Sequence, residues 1–142
     1  MEFSDRAAIC MRVIQKILIL LGTASVIFVL VNLCKANYWR EFLDLYFKIQ
    51  RNPNDDWAYY NRAVVRRECG DNQGALADFT QVIKINPDNA NAYYQRGRLH
   101  VREENTQQAI ADFNKAADIY WKKGDDYRYK YTLDEIQRTQ QQ

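Results

Sequence analysis

The chain runs to 142 residues, 47% apolar and 27% charged, with a formal net charge of +2, a size that suits one compact domain with a segment appended. A balance so close to neutral, with no concentrated basic run, gives no case for a nucleic-acid-binding face. The three cysteines, Cys10, Cys34 and Cys69, are odd in number and widely spaced, which argues for free thiols in a reducing compartment over a disulfide framework or a zinc site.

Residues 1–16 form a short flank carrying Arg6, Arg12 and Lys16. From Ile17 to Cys34 no residue is charged, and Lys16 and Lys35 bound the run. A helix over those eighteen residues extends roughly 27 Å at about 1.5 Å per residue, close to the ~30 Å hydrocarbon core of a bilayer. Tyr38 and Trp39 follow at the place where interfacial aromatics collect. The run therefore predicts a single transmembrane helix over 17–36. A cleaved signal peptide ending near Ala36 competes with it, but the leader is long and Cys34-Lys35-Ala36 is a poor cleavage site. A lipoprotein signal wants a small residue where Leu33 stands, and a buried core helix is disfavoured by apolar residues on every face. Lys35, Arg40, Lys48 and Arg51 slightly outnumber the basic residues of the first flank, which places the following domain on the cytoplasmic side.

Residues 37–53 predict a membrane-proximal amphipathic helix, with Phe42, Leu45, Tyr46 and Ile49 at helical spacing. A helix from Trp57 to Cys69 ends at Gly70-Asp71. Another from Ala75 to Ile85 carries Ala75, Phe79, Val82 and Ile83 on one face and is stopped by Pro87, with Asp88 or Asn89 placed to cap the next. A helix from Asn91 to Glu103 turns at Glu104-Asn105-Thr106 and returns from Gln107 to Trp121. Gly124-Asp125-Asp126 then opens a last helix with Tyr129, Thr132, Leu133 and Ile136 on one side. Paired carboxylates such as Glu103-Glu104 fall at these turns and read as caps or solvated charge. The fold class is all-α.

Laid on itself with a shift of thirty-four, the chain matches Ala58-Tyr59-Tyr60 to Ala92-Tyr93-Tyr94 and Arg62 to Arg96. Ala75 meets Ala109, Ala77-Asp78-Phe79 meets Ala111-Asp112-Phe113, and Ala63 meets Gly97. Self-similarity at a fixed period marks a repeat architecture. These residues, with Gly70-Asp71 and Pro87, resemble the tetratricopeptide repeat. Glu104-Asn105 departs from the usual Gly-Asp, and Trp121 from the usual proline. The resemblance implies a short helical-hairpin solenoid: a first full repeat at 54–89, a second at 90–123, and a capping helix and tail at 124–142. Residues 37–53 then resemble the second helix of a degenerate repeat whose first helix is the membrane span. About three repeats are normally needed for stability, so the membrane, a partner or self-association into a homo-oligomer is expected to supply the remainder.

By the same resemblance, the first helix of each hairpin builds a concave protein-binding groove. Its expected lining is Trp57, Tyr60, Asn61, Val64, Arg67 and Glu68 in one repeat, and Asn91, Tyr94, Gln95, Arg98, Val101 and Arg102 in the other. Tyr59 and Tyr93 are expected to pack between helices, and Arg62 and Arg96 to cover apolar surface with their stems. The chaperone-tail version of the fold grips a terminal carboxylate with a lysine and an asparagine where this chain has Tyr60 and Val64, so no such clamp is expected. His100, the sole histidine, is expected to be structural. No phosphate loop, nucleophile–base pattern or metal-ligand spacing is present in the sequence, so no enzyme activity, cofactor, metal or small-molecule substrate is expected. The segments Tyr-Tyr-Asn-Arg and Ala-Asp-Phe resemble bacterial, especially cyanobacterial, members of the family, whose membrane-anchored relatives assist assembly of photosynthetic complexes. The expected function is a membrane-anchored scaffold that binds a protein or peptide partner. Its rivals are a permanent accessory subunit and a soluble binding module released by cleavage.

Overall fold

The computed structural model describes residues 40–141, which form six helices and no strand. The expected span Ile17–Cys34, its flank and residues 37–39 lie outside the described residues. Among the described residues no helix is long and apolar enough to cross a membrane. Helix α1 covers residues 40–51, α2 Asp56–Glu68, α3 Asn72–Ile85, α4 Ala90–Arg102, α5 Thr106–Lys122 and α6 Asp126–Gln140.

Local chemistry sets these bounds. Asp55, Asp71, Asn89 and Asp125 each accept a hydrogen bond from the backbone N–H three residues on, at 2.9 to 3.1 Å, which satisfies one of the orphan donors at a helix start. The capping bond from Asp71 begins α3 at Asn72, three residues before the expected Ala75. Asn105 makes no such bond at the start of α5. At the other end, Gly70, Glu104 and Gly124 adopt left-handed φ values of 83°, 59° and 71°. Each is followed by a backbone N–H that reaches back five residues, from Asp71 to Arg66, from Asn105 to His100 and from Asp125 to Tyr120. This is the Schellman stop signal. Glu104 thus performs a glycine's conformational task while carrying a Cβ.

Helices α2 with α3, and α4 with α5, form antiparallel hairpins; α3 packs on α4 and α6 on α5. One core joins Ala63 of α2, Ala75, Phe79 and Val82 of α3, and Ala92 and Leu99 of α4, all fully buried. The second hairpin repeats it with Ala109 and Phe113 against Ile136 of α6. A full burial of Phe79 or Phe113 is worth about 1.5–3 kcal/mol. Gly97 makes the close approach possible: a Cβ there would stand 2.8 Å from the Phe113 ring and 3.2 Å from the Ala109 carbonyl oxygen.

Arg62 and Arg96 do more than cover apolar surface. Arg62 donates from Nε and Nη2 to the two carboxylate oxygens of Asp78, at 2.8 and 2.7 Å, and Arg96 forms the same fork with Asp112. Hydrogen bonding to Asp78 holds the Arg62 guanidinium above its ordinary pKa against the opposing effect of burial, and Asp112 does the same for Arg96. Tyr59 and Tyr93 are half-buried beneath these guanidiniums, 5.4 and 5.7 Å from ring to cation. Arg66 adds a third bond to Asp78 at 3.0 Å. In the second repeat its counterpart is His100, half-buried, with Nε2 3.9 Å from Asp112 and Nδ1 buried without a hydrogen-bond partner.

Two expected faces are corrected. On α1, Leu45 and Ile49 are buried and Phe42 half-buried, but Tyr46 is 41% exposed, beside Leu43 at 44% and Phe47 at 47%. On α6 the buried line is Thr132, Ile136 and Thr139, with Tyr129 half-buried. Leu133 is rotated one position off that line and stands 40% exposed. The outer side of α6 carries exposed Asp126, Lys130, Asp134 and Gln137, the polar end that a solenoid requires.

Candidate protein-binding face

The first helix of each hairpin lies beside the first helix of the next. Arg67 of α2 donates to the Gln95 side chain of α4 at 2.7 Å, and the rings of Tyr94 and Tyr131 join α4 to α6 with centroids 6.1 Å apart. This row of α2, α4 and α6 brings the expected groove residues together, but commits many of them to holding the fold.

Trp57 is 59% exposed, with the Lys48 ammonium 4.9 Å from its ring. Tyr60 turns inward and meets Phe79 edge-on at 5.5 Å, and Val64 is half-buried against the same core. The Asn61 amide donates to the Trp57 carbonyl at 2.7 Å, an internal bond of α2. Arg67 is held by Gln95 on one side and by Glu68, at 2.6 Å, on the other. Asn91 is exposed yet accepts from the Tyr120 hydroxyl at 2.6 Å. Tyr94 is half-buried against Phe113 and Tyr131. Burial first, then the negative field of Glu135, pushes its hydroxyl pKa up. Val101 packs on the second core. Arg98 and Arg102 are exposed one turn apart on α4, and neither is in an ion pair or hydrogen bond with a described residue. Trp57, Arg98 and Arg102 are therefore the expected groove residues left with open surface and no side-chain hydrogen bond or ion pair to a described residue. Tyr60, Val64, Tyr94 and Val101 serve the core, while Asn61, Arg67, Asn91 and Gln95 are bonded within the domain.

One contributor comes from a helix the sequence reading left out. Tyr120, near the end of α5, is buried and reaches back to Asn91 beneath the Arg128 guanidinium. Burial pushes its hydroxyl up to about 12. With Asn86, Asp88, Lys123 and Asp125 it lines a shallow polar depression beside the start of α4. The first hairpin makes the same closure, Asn86 donating to Asp56 at 2.7 Å. The shift of thirty-four pairs Asn86 with Tyr120, but the residue types differ, so the repeat comparison alone gives no sign of the shared role. Among the described residues no cluster of three or more His, Cys, Asp or Glu could hold a metal ion.

Comparison with known proteins bears on this architecture. One family model, described as a TPR repeat, matches residues 65–103, and another, described as a tetratricopeptide repeat, matches residues 90–120. No curated protein matches the chain by sequence. Among solved structures, the TPR2B domain of yeast Sti1 in its pHsp70 complex is similar at 17% identity, with a TM-score of 0.69 over 77% of this chain and 87% of that one. The first TPR of Spaghetti (RPAP3), bound to the HSP90 peptide SRMEEVD, is similar at 15% identity and a TM-score of 0.65, over 77% of this chain and 82% of that one. A tetratricopeptide repeat domain protein from Salinibacter ruber is 23% identical with a TM-score of 0.58, over 62% of this chain and 89% of that one. At these identities the likeness shows a shared fold. Two overlapping repeat models match residues 65–120, and the hairpin solenoid around them has the same fold as these tetratricopeptide-repeat structures.

Proposed function

We propose that the chain is a membrane-anchored protein–protein interaction scaffold, which uses the α2–α4–α6 face to recruit a partner and to aid assembly of a membrane complex. The observation that carries the reading is the exposed set Trp57, Arg98 and Arg102 on a face whose other residues are locked in place. Rigid aromatic and guanidinium anchors are the residue types that dominate binding energy at protein interfaces, and preorganised neighbours spare the cost of ordering them on binding. The uncharged run Ile17–Cys34 supports the membrane anchor by its length and flanks. The binding of pHsp70 and of an HSP90 peptide by two of the similar structures is not carried over to this chain. Tyr60 and Val64 pack on the core, and neither supplies the ammonium or amide group that such a clamp uses.

The test is affinity capture of the full chain from gently solubilised membranes, beside a Trp57→Ala/Arg98→Ala/Arg102→Ala variant. One membrane complex that is recovered with the wild type and lost with the variant supports the reading. Identical partners in both captures would move the working surface elsewhere. Tight binding of an acidic C-terminal chaperone tail would overturn the exclusion of a clamp.

A further inference from the structure

The row of α2, α4 and α6 carries its charge unevenly. On α2, Arg67 is matched by Glu68 at 2.6 Å, and on α6, Arg138 is matched by Glu135 at 3.4 Å. Arg98 and Arg102 of α4 are both exposed, and no described carboxylate pairs with either. They stand one helical turn apart, about 5–6 Å between Cβ atoms. Arg98 is near enough to Tyr94 for its charge to oppose the rise in that hydroxyl's pKa. On the other side of Tyr94 lies Tyr131, which is 45% exposed, with Tyr127 one turn before it at 79%. Open aromatic surface on α6 thus borders the arginine pair.

We propose that Arg98 and Arg102 read two carboxylates on alternate residues of an internal, extended segment of a partner protein, and that an apolar side chain of the same segment rests on Tyr127 and Tyr131. The inference deepens the proposed interaction scaffold and rests on it. Charge sets the chemistry, since a guanidinium offers a planar fork of donors that fits a carboxylate. Spacing sets the pattern. An extended chain advances ~3.3–3.4 Å per residue and turns every second side chain to the same face, so acids at i and i+2 recur at about 6.6–6.8 Å, close to the step between the two arginines. Adjacent acids would point to opposite sides. A helical partner fits less well, because helix-in-groove docking needs a continuous apolar strip, and the open strip of α4 is Asn91, Arg98 and Arg102. The segment is internal because a chain terminus would call on further donors: the Asn61 amide is bonded to the Trp57 carbonyl, and Gln95 is engaged by Arg67.

The experiment measures fluorescence anisotropy of labelled peptides with the full chain in mild detergent. The probe carries the pattern Glu-Ala-Glu-Ala-Leu and is acetylated and amidated at its ends. Its controls place Gln for both Glu, set the two Glu side by side, or leave the C-terminal carboxylate free. The expected result is binding of the capped alternating probe that weakens as salt is raised, and that falls about tenfold or more in Arg98→Glu/Arg102→Glu, as two exposed ion pairs turn repulsive. The reversed variant should instead take up the matching Lys-Ala-Lys-Ala-Leu probe, and an unchanged urea midpoint shows that it is folded. Tyr127→Ala should weaken the acidic probe severalfold. Equal binding of the Gln or side-by-side control, or binding of the free-ended peptide alone, would overturn the inference. Failure of every peptide, while capture of a membrane complex is still lost in Arg98→Glu/Arg102→Glu, would overturn it and leave the scaffold standing. Capture undiminished in that variant would remove the face itself, and the inference with it.

Discussion

Asp78 is the acceptor on which the first hairpin turns. It takes two bonds from Arg62 and one from Arg66, and the Arg62 and Asp78 side chains are only 11% and 4% exposed. Asp78→Ala would leave Arg62 charged, desolvated and unpaired. Breaking a buried pair in this way costs about 3–5 kcal/mol. A domain of this size is stabilised by about 5–15 kcal/mol in total, so the loss is a large share of it. With a urea slope of about 2 kcal/mol per molar, a cost of ~4 kcal/mol lowers the unfolding midpoint by about 2 M. The double variant Arg62→Met/Asp78→Leu removes both charges and refills the volume, and the same physics expects it within about 1 kcal/mol of wild type or above it. Arg66 retains water and Asp71, 3.6 Å away, so the double variant strands nothing. Urea titration of the full chain in mild detergent, followed by its helical dichroism, measures all three proteins. A midpoint for Asp78→Ala within about 0.5 M of wild type, or a double variant as unstable as the single one, would refute the reasoning.

Glu104→Gly, which relieves a left-handed residue of its Cβ, should stabilise by up to about 1 kcal/mol and raise the melting temperature by several degrees, ~4–8 °C per kcal/mol for a domain of this size; Gly70→Ala should do the reverse. Gly97→Ala drives a methyl into Phe113 and should cost about 1–3 kcal/mol, visible in the same urea titration. Burial lowers the pKa of His100 below 6.5, with the Asp112 carboxylate opposing and Arg96 reinforcing the shift. The unfolded chain then takes up the proton first, so His100's contribution is intact above about pH 6.5 and declines as pH falls below it. His100→Phe should flatten that decline when urea midpoints are compared at about pH 7.5 and 5.5. On the binding face, Tyr60→Ala should lower the melting temperature measurably, while Arg98→Ala/Arg102→Ala should stay within about 0.5 kcal/mol of wild type.

The repeat was legible because its matched residues answer to backbone geometry. Small Ala63 and Gly97 face Phe79 and Phe113, Pro87 blocks continuation, and Gly70 turns the chain. The capped start of α3 was missed because Gly74 weakens the helical pattern just where the Asp71 carboxylate supplies the missing bond. The Arg–Asp forks were half visible. Arg62 and Arg96 matched at the repeat offset, as did Asp78 and Asp112, but sixteen residues separate the partners. Only the reversal at Gly70 brings them face to face. The groove was legible as a row of helices and less so as a list of side chains. Spacing assigns a residue to one side of a helix within about 100°, and that latitude covers both Tyr60, which turns into the core, and Trp57, which does not. The outward face of α1 mixes with its buried face at one-residue intervals, so periodicity alone could not divide Tyr46 from Leu45.

The seam between the hairpins is stitched by side chains on both flanks of α4. Gln95 accepts from Arg67, while the next residue, Arg96, donates across the seam to the Thr80 hydroxyl of α3 at 3.1 Å. A stack of repeats behaves as a one-dimensional lattice, in which the balance between unit and interface energies decides whether sites flip singly or together. Polar stitches add to the interface term without adding to either hairpin alone. With the interface strengthened in this way the hairpins are expected to open together, and amide exchange in α2 and α5 should report one common opening energy.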